Sequence, residues 1–165
     1  MSFVVTDEVE ARFSVEHDFL AQPAVYQIQQ YTDGSMLIIN EMIALRPEHQ
    51  NKGYGVRMFA RQAEVAKELK IRAIHLWAAG SKNQPYNGYY TWARYGFDTD
   101  LQTEERAALP PELSGATTIQ HLMTTVDGRK WWVDNGTGRF MSFYTVEESQ
   151  WNCLGSYLDE KKVRI

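Results

Sequence analysis

The sequence predicts a mixed α/β fold, and three observations carry that expectation. Residues 25–31 and 36–45 are apolar-rich runs joined by Thr32-Asp33-Gly34-Ser35, a link of the hairpin type. Gln50-Asn51-Lys52-Gly53-Tyr54-Gly55 follows the second run and opens a stretch of helical periodicity. A further apolar run, residues 72–79, comes after that helix. Strand, helix and strand in this order form a parallel crossover, right-handed by default.

Each element has its own reason. Residues 11–16 alternate as a strand does, and residues 25–31 alternate more clearly. Residues 36–45 are the return strand, ended by Pro47. From residue 53 to about 69, Val56, Phe59, Ala63 and Ala66 with Met58, Val65 and Leu69 recur every three or four positions, while Arg57, Arg61, Glu64 and Glu68 occupy the wet side. Residues 80–85 form a loop, and residues 86–95 a short aromatic helix stopped by Gly96. Residues 103–109 read as a helix broken by Pro110-Pro111. Residues 117–126 are helical by length yet rich in threonine, and both readings stay open. Asp127-Gly128 and residues 135–138 are turns, 139–146 a strand and 148–162 a closing helix. No repeat or linker interrupts the 165 residues, so one domain over 1–165 is expected.

Composition excludes several classes. Hydrophobic content of 44% and charged content of 23% are those of a globular protein. The first eight residues lack a basic region and turn acidic, unlike a signal peptide, and no apolar run approaches membrane-spanning length. A lone Cys153 excludes an internal disulfide and suits a reducing cytoplasm, the expected location. Four dispersed histidines and one cysteine show no metal-ligand spacing, so no metal is expected. Net charge is −4 without a basic stripe, which argues against general nucleic-acid binding. The charge is uneven. Lys52, Arg57, Arg61, Lys67, Lys70 and Arg72 face only Glu64 and Glu68 within residues 52–72, whereas residues 1–45 carry seven acids against Arg12 alone. Two solvated faces would explain this; an anionic ligand beside the first segment and a cationic one beside the second would also explain it.

Residues 50–56 are the candidate ligand loop. Two glycines one residue apart let the backbone turn tightly and bring its N–H groups close to a ligand. A helix starting there adds unpaired donors and partial positive charge, which suit phosphate. The dinucleotide fingerprint is broken by Met58, and a P-loop by Val56-Arg57 after Gly55. A plain turn that caps a helix is the competing account.

The stretch Ile43-Ala44-Leu45-Arg46-Pro47-Glu48-His49-Gln50-Asn51-Lys52-Gly53-Tyr54-Gly55 resembles the coenzyme-A loop of the GNAT N-acetyltransferase family, with its Gln/Arg-x-x-Gly-x-Gly/Ala signature. Tyr89-Tyr90-Thr91-Trp92-Ala93-Arg94-Tyr95-Gly96-Phe97 is similar to that family's second motif, an aromatic helix closed by Gly-Phe. Together the two cover residues 35–98. The resemblance implies a GNAT-like, largely antiparallel central sheet flanked by helices. Residues 99–138 then become an insertion after the second motif, either covering the acceptor site or elaborating the packing. It further implies acetyl-CoA as co-substrate, direct acetyl transfer to a small-molecule or peptide amine, and a homodimer as a plausible assembly. A catalytically silent module that binds coenzyme A or a protein partner is the alternative.

Such chemistry needs a neutral amine, so a carboxylate must help remove its proton. Glu41, charged within the apolar run before the loop, is the candidate base; a wet strand face is its other reading. By resemblance, the main chain of Ile43 and Leu45 would pair with the pantetheine arm. Gln50, Asn51, Lys52, Gly53, Tyr54, Gly55 and Val56 would wrap the diphosphate, and Asn83 or Asn87 would bond the arm. Where the family carries a tyrosine in its second motif this chain has Trp92, so Tyr89, on the same helical face, is the candidate acid, with core packing as its other role.

Overall fold

The structure is a computed structural model that describes the backbone of residues 5–164 and the side chains of residues 11–164. Among the described residues, a five-stranded sheet runs in the order β1 (Val5–Val15), β2 (Ala24–Tyr31), β3 (Met36–Met42), β4 (Ala73–Ser81), β5 (Thr137–Tyr144). β1–β2 and β2–β3 are antiparallel and β3–β4 is parallel, with α1 (Tyr54–Glu68) as the crossover. The later helices are α2 (Gly88–Arg94), α3 (Thr103–Ala107), α4 (Ile119–Met123), α5 (Val126–Asn135) and α6 (Glu148–Lys161). This is the mixed α/β, mostly antiparallel arrangement expected from the sequence. The chain divides into two compact units. One runs to Leu76 and takes in Tyr144–Glu147 and the residues from Leu158 on; the other is Trp77–Phe143 with Glu148–Tyr157.

In the first unit the hairpin forms because Asp33 Oδ1 accepts the Ser35 amide at 3.0 Å while the Tyr31 amide bonds the Ser35 carbonyl at 2.7 Å. Helix α1 buries Val56, Phe59, Ala63 and Ala66 as their spacing predicts, and Ala60 with them, whereas Val65 and Leu69 of the expected stripe are exposed, at 50% and 67%. Burying a side chain the size of Phe59 stabilises the fold by about 1.5–3 kcal/mol. Asn40 of β3 and Gln62 of α1 exchange two amide hydrogen bonds of 2.9 and 2.7 Å, so the buried Asn40 amide is satisfied. β3 ends at Met42, three residues before the expected limit. Val25 pairs with Met42 but Tyr26 pairs with Asn40, so Glu41 is the extra residue of a β-bulge. Beyond it Leu45 makes an isolated bridge with Leu20, and the Ala21 amide donates to the Ala44 carbonyl at 2.9 Å.

In the second unit, a bridge between Gly80 and Asn87 holds the chain extended, so α2 starts at Gly88, two residues later than expected. Gly96 ends the helix region at φ 98°, and Phe97 is fully buried against Phe143. The open stretch 117–126 contains a helix, α4, whose N-cap is Thr118. Gln120 of that helix donates to the carbonyls of Ala93 and Phe97 at 2.8 and 2.9 Å. Asp127-Gly128 is not a turn but the first turn of α5, because the Thr125 hydroxyl accepts the Gly128 amide at 3.0 Å and caps the helix. β5 begins at Thr137, two residues before the expected strand. Arg139 on β5 forms a buried two-pronged pair with Glu105 of α3 and lies 4.9 Å over the Trp132 ring.

Candidate active site

The ligand loop is built by its backbone. Pro47–His49 makes one 3-10 turn and Gln50 is extended. Asn51 and Gly53 take left-handed angles, φ 58° and 81°. Asparagine tolerates that region and glycine enters it freely. Gly53 is the N-cap of α1 and offers no side chain to the helix, and the first turn holds no acid. The first intrahelical bond runs from the Arg57 amide to the Gly53 carbonyl at 3.1 Å. The amides of Tyr54, Gly55 and Val56 therefore have no partner within the helix, at its positive end. Lys52 and Arg57 are exposed beside them.

Side chains brace this loop. Tyr54 stacks on Phe19 at 5.3 Å and meets His49 edge-on at 5.4 Å. His49 Nδ1 is buried without a hydrogen-bond partner among the described residues. Gln50 Nε2 donates to the Leu45 carbonyl at 3.1 Å, tying the loop to the chain leaving β3; Ile43 is half-buried in that same exit. A β-carbon on Gly53 would lie 2.6 Å from Val163 Cγ2, so the residue is glycine for space as well as for φ.

Glu41 is exposed at its bulge and engaged through both oxygens. Arg12 donates from Nη2 and Nε to Oε2 at 2.7 and 3.0 Å, and Gln27 Nε2 donates to Oε1. Arg12 and Gln27 are direct cross-strand partners, so one register of β1 on β2 aims both at the carboxylate. Sequence reading singled out Glu41 and missed this pair. Its signal was the polar alternation of the two strands, once their register is known.

In the second unit Asn87 is the N-cap residue of α2, but its side chain does not cap the helix; Asn83 lies exposed in the preceding loop. Tyr89 is buried, and its hydroxyl donates to the Val133 carbonyl at 2.9 Å while its own carbonyl accepts Trp132 Nε1 at 3.0 Å. Burial first, then the Asp134 charge, pushes the phenol upward, so it holds its proton at neutral pH. Trp92 contacts Tyr95 and Phe97 edge-on, at 5.4 and 5.3 Å.

An uncapped helix start behind a left-handed glycine and the Gly96-Phe97 closure occur in the order that the acetyltransferase comparison requires. The acetyltransferase (GNAT) family model matches residues 24–97. The chain carries a GNAT-family segment. It begins at the first residue of β2 and ends at Phe97, so it holds both the loop of residues 50–56 and the second motif. Neither a curated protein nor a solved structure gives a match to the chain. The GNAT segment supports an acetyltransferase type of activity. The donor set fits the family's acetyl-CoA: main-chain amides at a helix start with cations and no acid beside them suit a diphosphate. Among the described residues no three His, Cys, Asp or Glu side chains are grouped to hold a metal ion, and no helix is long and apolar enough to cross a membrane.

Proposed function

We propose that this chain is an N-acetyltransferase that moves the acetyl group of acetyl-CoA to a primary amine by direct attack. The observation that carries this reading is the uncapped, acid-free start of α1 behind Gly53, inside the family-matched segment. In this reading the amides of Tyr54, Gly55 and Val56, with Gln50, Asn51, Lys52 and Gly53, hold the diphosphate. The main chain of Ile43 and Leu45 pairs with the amides of the pantetheine arm, and Asn87 adds a side-chain bond to it. Glu41 accepts a proton from the acceptor ammonium, and the freed amine lone pair attacks the thioester carbon. The new C–N bond forms as the C–S bond breaks, and the sulfur leaves with the electron pair. Tyr89, after its hydroxyl releases Val133, gives its proton to that sulfur and regains one from the attacking nitrogen as it becomes the amide, so only the proton taken by Glu41 leaves with the enzyme. No covalent enzyme intermediate is involved. The acidic first 45 residues favour a cationic acceptor such as a polyamine, an amino acid, a peptide N-terminus or a lysine.

Two measurements test this. Coenzyme A should raise the melting temperature, because a ligand bound by the folded state alone stabilises it. Thiol release from acetyl-CoA with a panel of amines should detect turnover, and Glu41→Gln should slow it about a hundredfold at pH 7 while leaving the coenzyme-A shift intact. An unchanged rate from pH 6 to 9 would remove Glu41 from the chemistry. Substitution at Gly53 is a poor test, since any side chain there strikes Val163 with or without a ligand.

A second reading is a silent module that binds coenzyme A or a protein partner. It is favoured by Trp92 at the family's tyrosine position and by the commitment of the Tyr89 proton to Val133. Coenzyme-A binding without thiol release for any amine would select it.

A further inference from the structure

Val163, two residues after α6 ends, lies against Gly53 of the candidate ligand loop. The helix ends in a paired cap: the Val163 amide donates to the Leu158 carbonyl and the Lys162 amide to the Asp159 carbonyl, each at 3.0 Å. That cap puts its left-handed residue between the helix and Val163, a position where glycine is the usual occupant. Here it is Lys162, at φ 54° and ψ 35°. Val163 follows, and its Cγ2 sits 2.6 Å from where a Gly53 β-carbon would be. Lys162 and Arg164 are both exposed, one residue, or about 3.8 Å of chain, to either side of Val163. The charges of the loop itself, Lys52 and Arg57, lie one residue before Gly53 and four after it.

We infer that Lys162-Val163-Arg164 forms a wall of the coenzyme-A site, with Val163 seating the segment on Gly53 and Lys162 and Arg164 supplying positive charge to the phosphates. This rests on the acetyl-CoA reading above and adds a part of the chain outside the family-matched segment. Lys162 carries its charge at a left-handed position that glycine would also fill, as Lys70 does in the same paired cap after α1 at φ 58°.

That combination of cap and charge supplies the test. Coenzyme A is titrated calorimetrically into the wild type, Lys162→Gly and Arg164→Gln at low and high salt, and the melting temperature of each unliganded protein is measured. Lys162→Gly should melt no lower than the wild type, because glycine suits the left-handed position, yet bind coenzyme A about threefold to tenfold more weakly at low salt. Arg164→Gln, which leaves the cap untouched, should weaken binding in the same direction. Both differences should shrink near 0.5 M salt. Equal affinity in both variants overturns the inference while leaving the acetyltransferase reading standing. Tighter binding in the variants overturns it as well, making the segment an obstruction rather than a wall. A wild type that does not bind coenzyme A removes both.

Discussion

At the scale of single residues, Gly96 shows how one position can be legible in its effect and opaque in its cause. Its place after an aromatic helix marks a stop, and α2 does end just before it. The reason it must be glycine lies far along the chain. Its φ is 98°, and a β-carbon there would fall inside contact distance of the Gln150 carbonyl and 3.1 Å from Phe143. Gly96→Ala should therefore destabilise by about 2–4 kcal/mol, since the new methyl adds a clash to a left-handed backbone. Urea unfolding measures it, and a loss below about 0.5 kcal/mol would mean that α6 yields easily. Glu41 is the parallel case at the candidate site. A charge in an apolar strand drew attention to it, but Arg12 and Gln27 became its partners only through a strand register that local sequence does not encode.

Elements were read best where one local signal dominated. The Asp33-Gly34 hairpin stands as expected, and so does the α1 stripe apart from Val65 and Leu69, which face solvent. β3 was read three residues too long, because an apolar run does not reveal a bulge. Helix α5 was missed altogether: Asp127-Gly128 is a turn signal, and the Thr125 cap together with the burial of Trp132 outweighs it. The Arg139–Glu105 pair joins β5 to α3 and was not legible at all, its partners lying 34 residues apart. Both side chains are about nine-tenths buried, so Arg139→Met, which strands the Glu105 carboxylate, should cost about 3 kcal/mol. Adding Glu105→Gln should recover part of that loss, and a urea double-mutant cycle with no coupling would show the two groups to be independent.

For the molecule as a whole, pH is the lever that reads a buried interior. His75 on β4 is buried, shares a 2.6 Å hydrogen bond with the Tyr31 hydroxyl, and has its pKa pushed down to about 4 by burial. The unfolded chain binds a proton at this residue below about pH 6.5, and the folded chain does not until about pH 4. The stabilisation is thus complete above the unfolded value and drains away as pH falls, by about 1.4 kcal/mol per unit, until the folded value is reached. Urea unfolding at pH 7.5 and pH 5 should show this loss in the wild type and a smaller one in His75→Gln; equal losses would assign it to carboxylates instead. The family-matched segment, residues 24–97, was also the most legible part, because both of its motifs rest on short spacings. Within residues 99–138 the helix at 103–109 was legible and α4 was left open, but α5 and the contacts of these short helices were opaque, since they are held by distant partners. Gln120 illustrates the outcome, its amide reaching the Ala93 and Phe97 carbonyls. Cutting this protein back to its family-matched residues 24–97 would saw off Gln120 and leave the Ala93 and Phe97 carbonyls, behind the second motif, without its amide.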